Sequence, residues 1–238
     1  QRPVVLAGGA WSALLARAHG VVLPQLSVRA TVAATLPMTE VFAGAVADRH
    51  FAIRRRNDGG YTLAPGHFHE AFIGPDAFRH LRVFLPQLCK DISGTRLLPA
   101  APRHYPDAWT TPRRWAADGI SPFERMRILD PRPNRAEIAR LQRRFAAAFP
   151  ALGRPRIASA WAGMIDTMPD VVPVIDHVAA LPGLTIATGL SGHGFGIGPG
   201  IGRVVADLVA GRAPGHDLTR FRLSRFTDGS PIEIGPAL

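Results

Sequence analysis

Between Thr188 and Gly211 the sequence reads TGLSGHGFGIGPGIGRVVADLVAG, with seven glycines from Gly189 to Gly202. Glycine lets a backbone approach a ligand that a Cβ would hold off. A strand that feeds a helix also points free N–H groups and the positive end of the helix dipole at whatever lies before it. Such a place suits an anion or a polarised carbonyl. The spacing Gly-x-Gly-x-x-Gly fails in every register, since from Gly192 the last position is Ile197 and from Gly194 it is Pro199. Two readings therefore stand: a loop that touches a cofactor without cradling its pyrophosphate, or a structural turn packed on another strand. Pro199 is expected in the first helical turn, where its missing N–H costs nothing.

Three further groups of residues have chemical potential. VVLAGGAWS, Val4–Ser12, reads as a buried strand, a Gly8-Gly9 turn and a helix, an arrangement that also brings backbone close to a flat or charged group. In WAGMIDTMPDVVPVID, Asp166 and Asp170 on one strand would share a face about 13 Å apart. A turn at Met168-Pro169-Asp170 is the preferred reading there. His193, between two glycines, is a candidate base or ligand contact. His67, His69 and Glu70 have alternate spacing, but a third ligand at zinc-site spacing is missing and no metal is expected.

These residues need elements to hold them. LSVRATVAATLP is rich in β-branched residues and predicts a long strand, and Asn57-Asp58-Gly59-Gly60 predicts a hairpin turn. Residues 76–89 predict an amphipathic helix capped by Asp76, with Pro86 ending it early. From Thr95 to Pro133 the chain is proline-dotted, without clear periodicity. Asn134 then caps a helix whose Ile138, Leu141, Phe145 and Phe149 share a face. RIASAWAGMID, VVPVID and LTIATGL read as strands. The order is α/β at both ends with an antiparallel, hairpin-containing region between, which predicts an insertion near residues 26 to 155.

Composition excludes several classes. The 238 residues are 47% hydrophobic and 19% charged, as in an ordinary globular protein. No run approaches the roughly 18 unbroken apolar residues of a membrane span. The net charge of +10 comes from scattered arginines with Lys90 the one lysine, and no basic stripe alternates with aromatics, so nucleic acid is not an expected partner. Cys89 stands alone, which excludes a disulfide framework and suggests a reducing compartment. The expected location is the cytoplasm, with peripheral membrane association left open. The opening at Gln1, directly before a strand, reads as the middle of a longer polypeptide.

Taken in order, VVLAGGAWS, SAWAGMIDTMPDVVPVI and GLSGHGFGIGPGIGRVVADLVAG resemble the D-amino-acid oxidase superfamily of FAD-dependent oxidoreductases, which includes glycine oxidase, sarcosine oxidase and D-amino-acid dehydrogenase. The resemblance implies α/β plus α+β architecture: part of a Rossmann-like FAD-binding domain (1–25 and 155–214), an inserted substrate domain on an antiparallel sheet (26–154) and a C-terminal tail (215–238). It implies FAD as cofactor and hydride transfer from a C–H beside nitrogen of an amine or amino acid. Gly8, Gly9, Ala10 and Trp11 would line one side of the cofactor, with Gly163 and Met164 near the ring. Gly192, His193, Gly194, Phe195, Gly196 and Ile197 would contact its pyrimidine edge, within a segment facing it from Gly192 to Gly202. A helix start aimed there stabilises the negative charge that arrives with the hydride.

The sequence departs from that family in three places. The strand and Gly-x-Gly-x-x-Gly that hold the ADP half of FAD are absent, so the chain is expected to be a fragment or subunit, inactive alone and needing the N-terminal FAD-domain segment or a partner chain. Ile165 stands where amino-acid-oxidising relatives carry a carboxylate-binding arginine, so either another arginine serves or the substrate is an amine without a carboxylate at that place, which Asp166 would then attract as a cation; His193 is the other candidate substrate contact. Gly196 replaces the lysine after GHGF, which favours an acceptor other than oxygen. The alternative is a non-catalytic chain that binds a partner and no flavin.

Overall fold

The computed structural model describes residues 2–235; residue 1 and residues 236–238, the end of the expected tail, lie outside the described residues. Two sheets organise the chain. The smaller has the order β1 (Val4–Leu6), β10 (Leu184–Thr188), β9 (Val174–His177), with β1 parallel and β9 antiparallel to β10. Helix α1 (Ser12–Ala18) follows β1 through a 3-10 turn at Gly9–Trp11. A core of Leu6, Ala16, Leu23, Met168, Val174 and Ile186 packs this sheet against α1.

The larger sheet is centred on β2 (Leu26–Thr35), the long strand expected from its β-branched residues. One edge of β2 pairs along its whole length with β8 (Ile157–Thr167). The other edge is shared by β5 (Tyr61–Pro65) and β6 (His69–Phe72), beyond which lie β4 (Phe51–Arg55), β3 (Ala45–Ala47) and β7 (Thr95–Leu98). All pairs are antiparallel except β6 with β7. The Asn57–Gly60 turn joins β4 to β5 as expected, with Asp58 accepting the Gly60 N–H at 3.0 Å. β8 therefore runs in the larger sheet and ends at the smaller one, where Asp166 meets the β10 terminus.

Helices α2 (Pro75–Arg79) and α3 (Leu81–Lys90) lie beside β6 and β7; α4 (Pro122–Arg125) is one turn long, and α5 (Arg135–Ala148) covers β4 and β5. The Asn134 carboxamide oxygen accepts the Ala136 and Glu137 N–H groups, and Leu141 and Phe145 bury against Ile53, Tyr61 and Leu63. Helix α6 (Gly194–Val209) follows β10.

Five sequence expectations need correction. Val4 and Val5 are 58% and 41% exposed, because no element among the described residues packs over them: both line an open groove beside Leu15 and His19, and Val5 also lines the cleft near Gly9. Asp76 is not a cap: Gly74 holds that position, and the Asp76 N–H is satisfied by Asp107 at 2.7 Å. Pro86 does not end α3, which runs on to Lys90; Pro86 and the Arg82 carbonyl it leaves unpaired both lie on the exposed face, where water serves. The stretch from Thr95 to Pro133 does contain elements, β7 and α4, the latter closed by a Ser121/Glu124 capping box. Pro199 sits inside α6, five residues after its first position, because the helix already starts at Gly194.

Candidate functional site

The turn from β10 into α6 is built on positive-φ residues, Gly189 at 75°, Ser191 at 51° and Gly192 at 84°. Gly189 has no substitute: a Cβ there would lie 2.2 Å from Cγ of the fully buried Met168. Its N–H donates to Asp166 Oδ2 at 2.6 Å, and the Ser191 N–H donates to the Asp166 carbonyl at 2.9 Å. Asp166 thus ties the end of β8 to the start of the glycine segment. Burial pushes its carboxyl up from the ordinary value, while the hydrogen bonds from Gly189 and Thr188 pull the other way.

A second set of bonds fixes the other glycine turn. Gln25 Nε2 donates to the Gly9 carbonyl at 2.8 Å. Thr188 Oγ1 lies 2.9 Å from Ser12 Oγ, 3.1 Å from Gln25 Oε1 and 3.1 Å from Asp166 Oδ2, and it is fully buried. One buried hydroxyl therefore joins β10, the start of α1, the segment before β2 and β8. The two glycine turns, distant in sequence, are held in one frame.

Between them lies an open cleft of about 500 Å³, walled by Gly9, Met164, Asp166, Gly192, Gly194 and Gly198, with Ile201, Gly202 and Val205 continuing along α6. Gly194, Gly198 and Gly202 recur every four residues and so share one helix face. A Cβ built on Gly198 or Gly202 would meet nothing within 4 Å, so neighbouring packing does not account for glycine there. The first two helical N–H groups, of Gly194 and Phe195, make no hydrogen bond among the described residues. The wall is mostly apolar, and the helix start beside it, at Gly194, carries free donors.

Of the residues singled out in the sequence, Gly9, Met164, Asp166, Gly192 and Gly194 line this cleft. Gly8, Ala10 and Trp11 belong to the adjoining turn, where Trp11 packs edge-on against Phe123 at 5.3 Å. Gly163 is on β8 beside Met164 but outside the lining. His193 acts through its carbonyl, which accepts the Gly196 and Ile197 N–H groups. Phe195 is fully exposed, and Gly196 and Ile197 fall outside the glycine face. Asp170 sits in the expected turn and forms a bidentate pair with Arg225 at 2.7 and 3.0 Å. Among the described residues no group of three His, Cys, Asp or Glu is placed to hold a metal. His69 bonds Thr95 at 3.0 Å, and Glu70 is held by Arg29 and Asn134 at 2.7 Å each.

Sequence reasoning gave no role to Gln25, Ser12 or Thr188. Gln25 carries no local signal, because its partner Gly9 is brought near only by the fold. The four-residue recurrence of Gly194, Gly198 and Gly202 was the available sign of a helix face.

Strand ends, a Gly-Gly turn and a helix N-terminus converging on one cleft beside an open sheet define a cofactor-binding α/β protein. Residues 1–208 match the family of DAO, FAD dependent oxidoreductases, and the chain belongs to that family. The cofactor of the family is FAD. L-amino acid deaminase from Proteus myxofaciens, solved in complex with anthranilate, is 30% identical with a TM-score of 0.85, over 95% of this chain and 50% of that one. L-amino acid deaminase from Proteus vulgaris is 27% identical with a TM-score of 0.83, over 94% and 51%. N-methyl-L-tryptophan oxidase of Salmonella newport is 45% identical over 62 residues, which are 26% of this chain and 17% of that protein. The chain thus spans about half the length of the solved structures it resembles. No helix among the described residues is long and apolar enough to cross a membrane.

Proposed function

We propose that this chain is part of a FAD-dependent oxidoreductase that oxidises the C–N bond of an amine or amino acid. The observation that carries the reading is the glycine face of α6, whose Gly198 and Gly202 leave room that a Cβ would fill, set in a chain of the FAD-dependent family. The names of the relatives, an L-amino acid deaminase and an N-methyl-L-tryptophan oxidase, support the amine or amino-acid class.

Bound FAD supplies the hydride acceptor. The chain's own part is placement and electrostatics. Gly192, Gly194 and Gly198 would leave room for the flavin ring, and the free N–H groups of Gly194 and Phe195 would stabilise negative charge that arrives on it. Met164 on β8 forms the facing wall. Asp166 is a positioning residue in this reading: its bonds to Gly189 and Thr188 hold the glycine turn, and its role as a partner for a cationic substrate gives way to that. The division at residues 26 and 155 is kept as part of this reading: it gives β8 to the cofactor domain through Asp166, which bonds the end of β10, although the strand itself pairs with β2 of the larger sheet.

We also infer that the outer edge of β1 takes another strand, from further polypeptide of the same protein or from a partner chain, to complete the cofactor domain. The outer edge of β1, which among the described residues has no strand paired to it, and the half-length match to the relatives support this.

The test is anaerobic mixing of the whole protein with a panel of amines and amino acids, following the visible flavin absorbance. Bleaching by one of them supports the proposal. A protein that carries no flavin, or whose flavin no amine or amino acid bleaches, overturns it.

A further inference from the structure

A second cleft, of about 420 Å³, opens where both sheets' helices meet the tail, and it shares no lining residue with the cofactor cleft. The junction of α2 and α3 forms one wall, with Arg79, His80 and Arg82. The end of β9 forms another, with Asp176 and His177. The rest of the lining is mostly apolar and includes the buried Val21 and Val178 and, from the tail, Phe226.

Positive charge is in excess at this place. Arg17 and Arg79 share the buried Asp76 carboxylate, and Arg82 pairs with no carboxylate among the described residues. Three guanidinium groups thus stand against two carboxylates, Asp76 and Asp176, and Oδ2 of Asp176 already accepts the Leu223 N–H at 2.8 Å. The start of the ten-residue α3 brings the positive end of its dipole to the same wall.

His80 is the residue that calls for a ligand. It is 6% exposed, its ring makes no hydrogen bond among the described residues, and neither ring nitrogen is sealed off from solvent. An imidazole carries at least one N–H, and buried polar groups are paired in nearly all folded proteins, so this donor lacks an acceptor that the chain does not supply. His177 adds another ring nitrogen: Nδ1 is taken by Thr185 Oγ1 at 3.0 Å, which leaves Nε2 free. A group that accepts from an imidazole and a guanidinium together and carries one negative charge is a carboxylate. The apolar part of the lining suits an uncharged body behind it.

We propose that this cleft is a second binding site, distinct from the cofactor cleft, for a small apolar carboxylate, its charged end held by Arg82 and His80 and its body lying against Val21, Val178 and Phe226. The surplus guanidinium sets the charge of the ligand, the unpaired imidazole sets its acceptor, and the apolar lining sets its body. The site depends on no flavin and on no reaction.

The experiment is a calorimetric titration of the whole protein with phenylacetate, with phenylacetamide, its uncharged counterpart of the same shape, and with inorganic phosphate. Phenylacetate is expected to bind, and the amide about tenfold or more weakly, the loss of a hydrogen bond to a charged group. Phosphate, which has no apolar body, should bind more weakly than phenylacetate. Arg82→Gln should weaken phenylacetate by about tenfold or more and leave the fold intact, since Arg82 is exposed and has no ion-pair partner to lose. His80→Phe keeps a ring but removes the N–H and should weaken phenylacetate similarly, with the circular dichroism spectrum as the control for folding. No binding of phenylacetate, equal binding of the amide, tighter binding of phosphate, or phenylacetate binding unchanged by Arg82→Gln would overturn the proposal. Because only binding is read, its failure leaves the oxidoreductase reading untouched.

Discussion

Replacing Gly189 by alanine is the most severe small change the structure offers near the cofactor cleft. At φ 75° a residue with a Cβ costs about 1–2 kcal/mol relative to glycine. The new methyl would also lie 2.2 Å from Met168 Cγ and 2.5 Å from its Sδ. Met168 is fully buried among Leu6, Val174 and Ile186, so it has no free volume to move into, and overpacking of this kind costs about 1–3 kcal/mol. Restricting the unfolded chain returns a few tenths to 1 kcal/mol. The expected loss is about 2–4 kcal/mol, or roughly 5–15 °C in Tm for a chain of this size. Urea unfolding followed by far-ultraviolet circular dichroism measures it. The double change Gly189→Ala with Met168→Ala separates the two causes: it should cost less than the sum of the single changes by about the overlap energy, leaving the φ cost in place. A Gly189→Ala protein within 0.5 kcal/mol of wild type would refute the reasoning.

Two further predictions follow from buried charges. Arg225→Ala strands the Asp170 carboxylate, of which 5% is exposed, and should cost about 3–5 kcal/mol with little dependence on salt; replacing both by leucine should recover most of it in the same unfolding assay. Burial and the nearby Asp76 charge push the Asp107 carboxyl from 3.8 up to about 6. Between those values the folded state holds a proton that the unfolded state has lost, so this group's contribution to stability falls as pH rises from about 4 to 6 and is constant above. Asp107→Asn should remove that slope, by roughly 1–3 kcal/mol, while keeping an acceptor for the Asp76 N–H; unfolding curves across that pH range, compared with wild type, check it.

What could be read from the sequence is what neighbouring residues decide among themselves. The long strand Leu26–Thr35, the hairpin turn at Asp58-Gly59 and the helix capped by Asn134 each carry their cause within a few positions. The start of α2 does not. Its Asp76 N–H is satisfied by Asp107, 31 residues downstream, and Gly74 is required because a Cβ would lie 2.1 Å from the Asp107 carbonyl oxygen. The site divides in the same way. Glycine spacing marked both turns, but the frame that unites them runs from Gln25 to Gly9 and from Thr188 to Asp166, through contacts that exist only once the sheets meet. The helix start at Gly194 also escaped a reading that took the glycines for an irregular loop, and α6 then directs Gly194, Gly198 and Gly202 to the cleft and leaves Phe195 in solvent.

The central claim is that the glycine face of α6 receives the flavin, and one side chain tests it directly. Gly198 has open space where a Cβ would stand, so Gly198→Leu should fold normally, even gaining a few tenths to 1 kcal/mol from better helix propensity. The measurement is the FAD released per polypeptide when the purified whole protein is denatured, read from the visible spectrum. The account predicts a flavin-bearing wild type and at least a tenfold lower content in Gly198→Leu at an undiminished Tm. A folded Gly198→Leu protein with its full complement of flavin would contradict it.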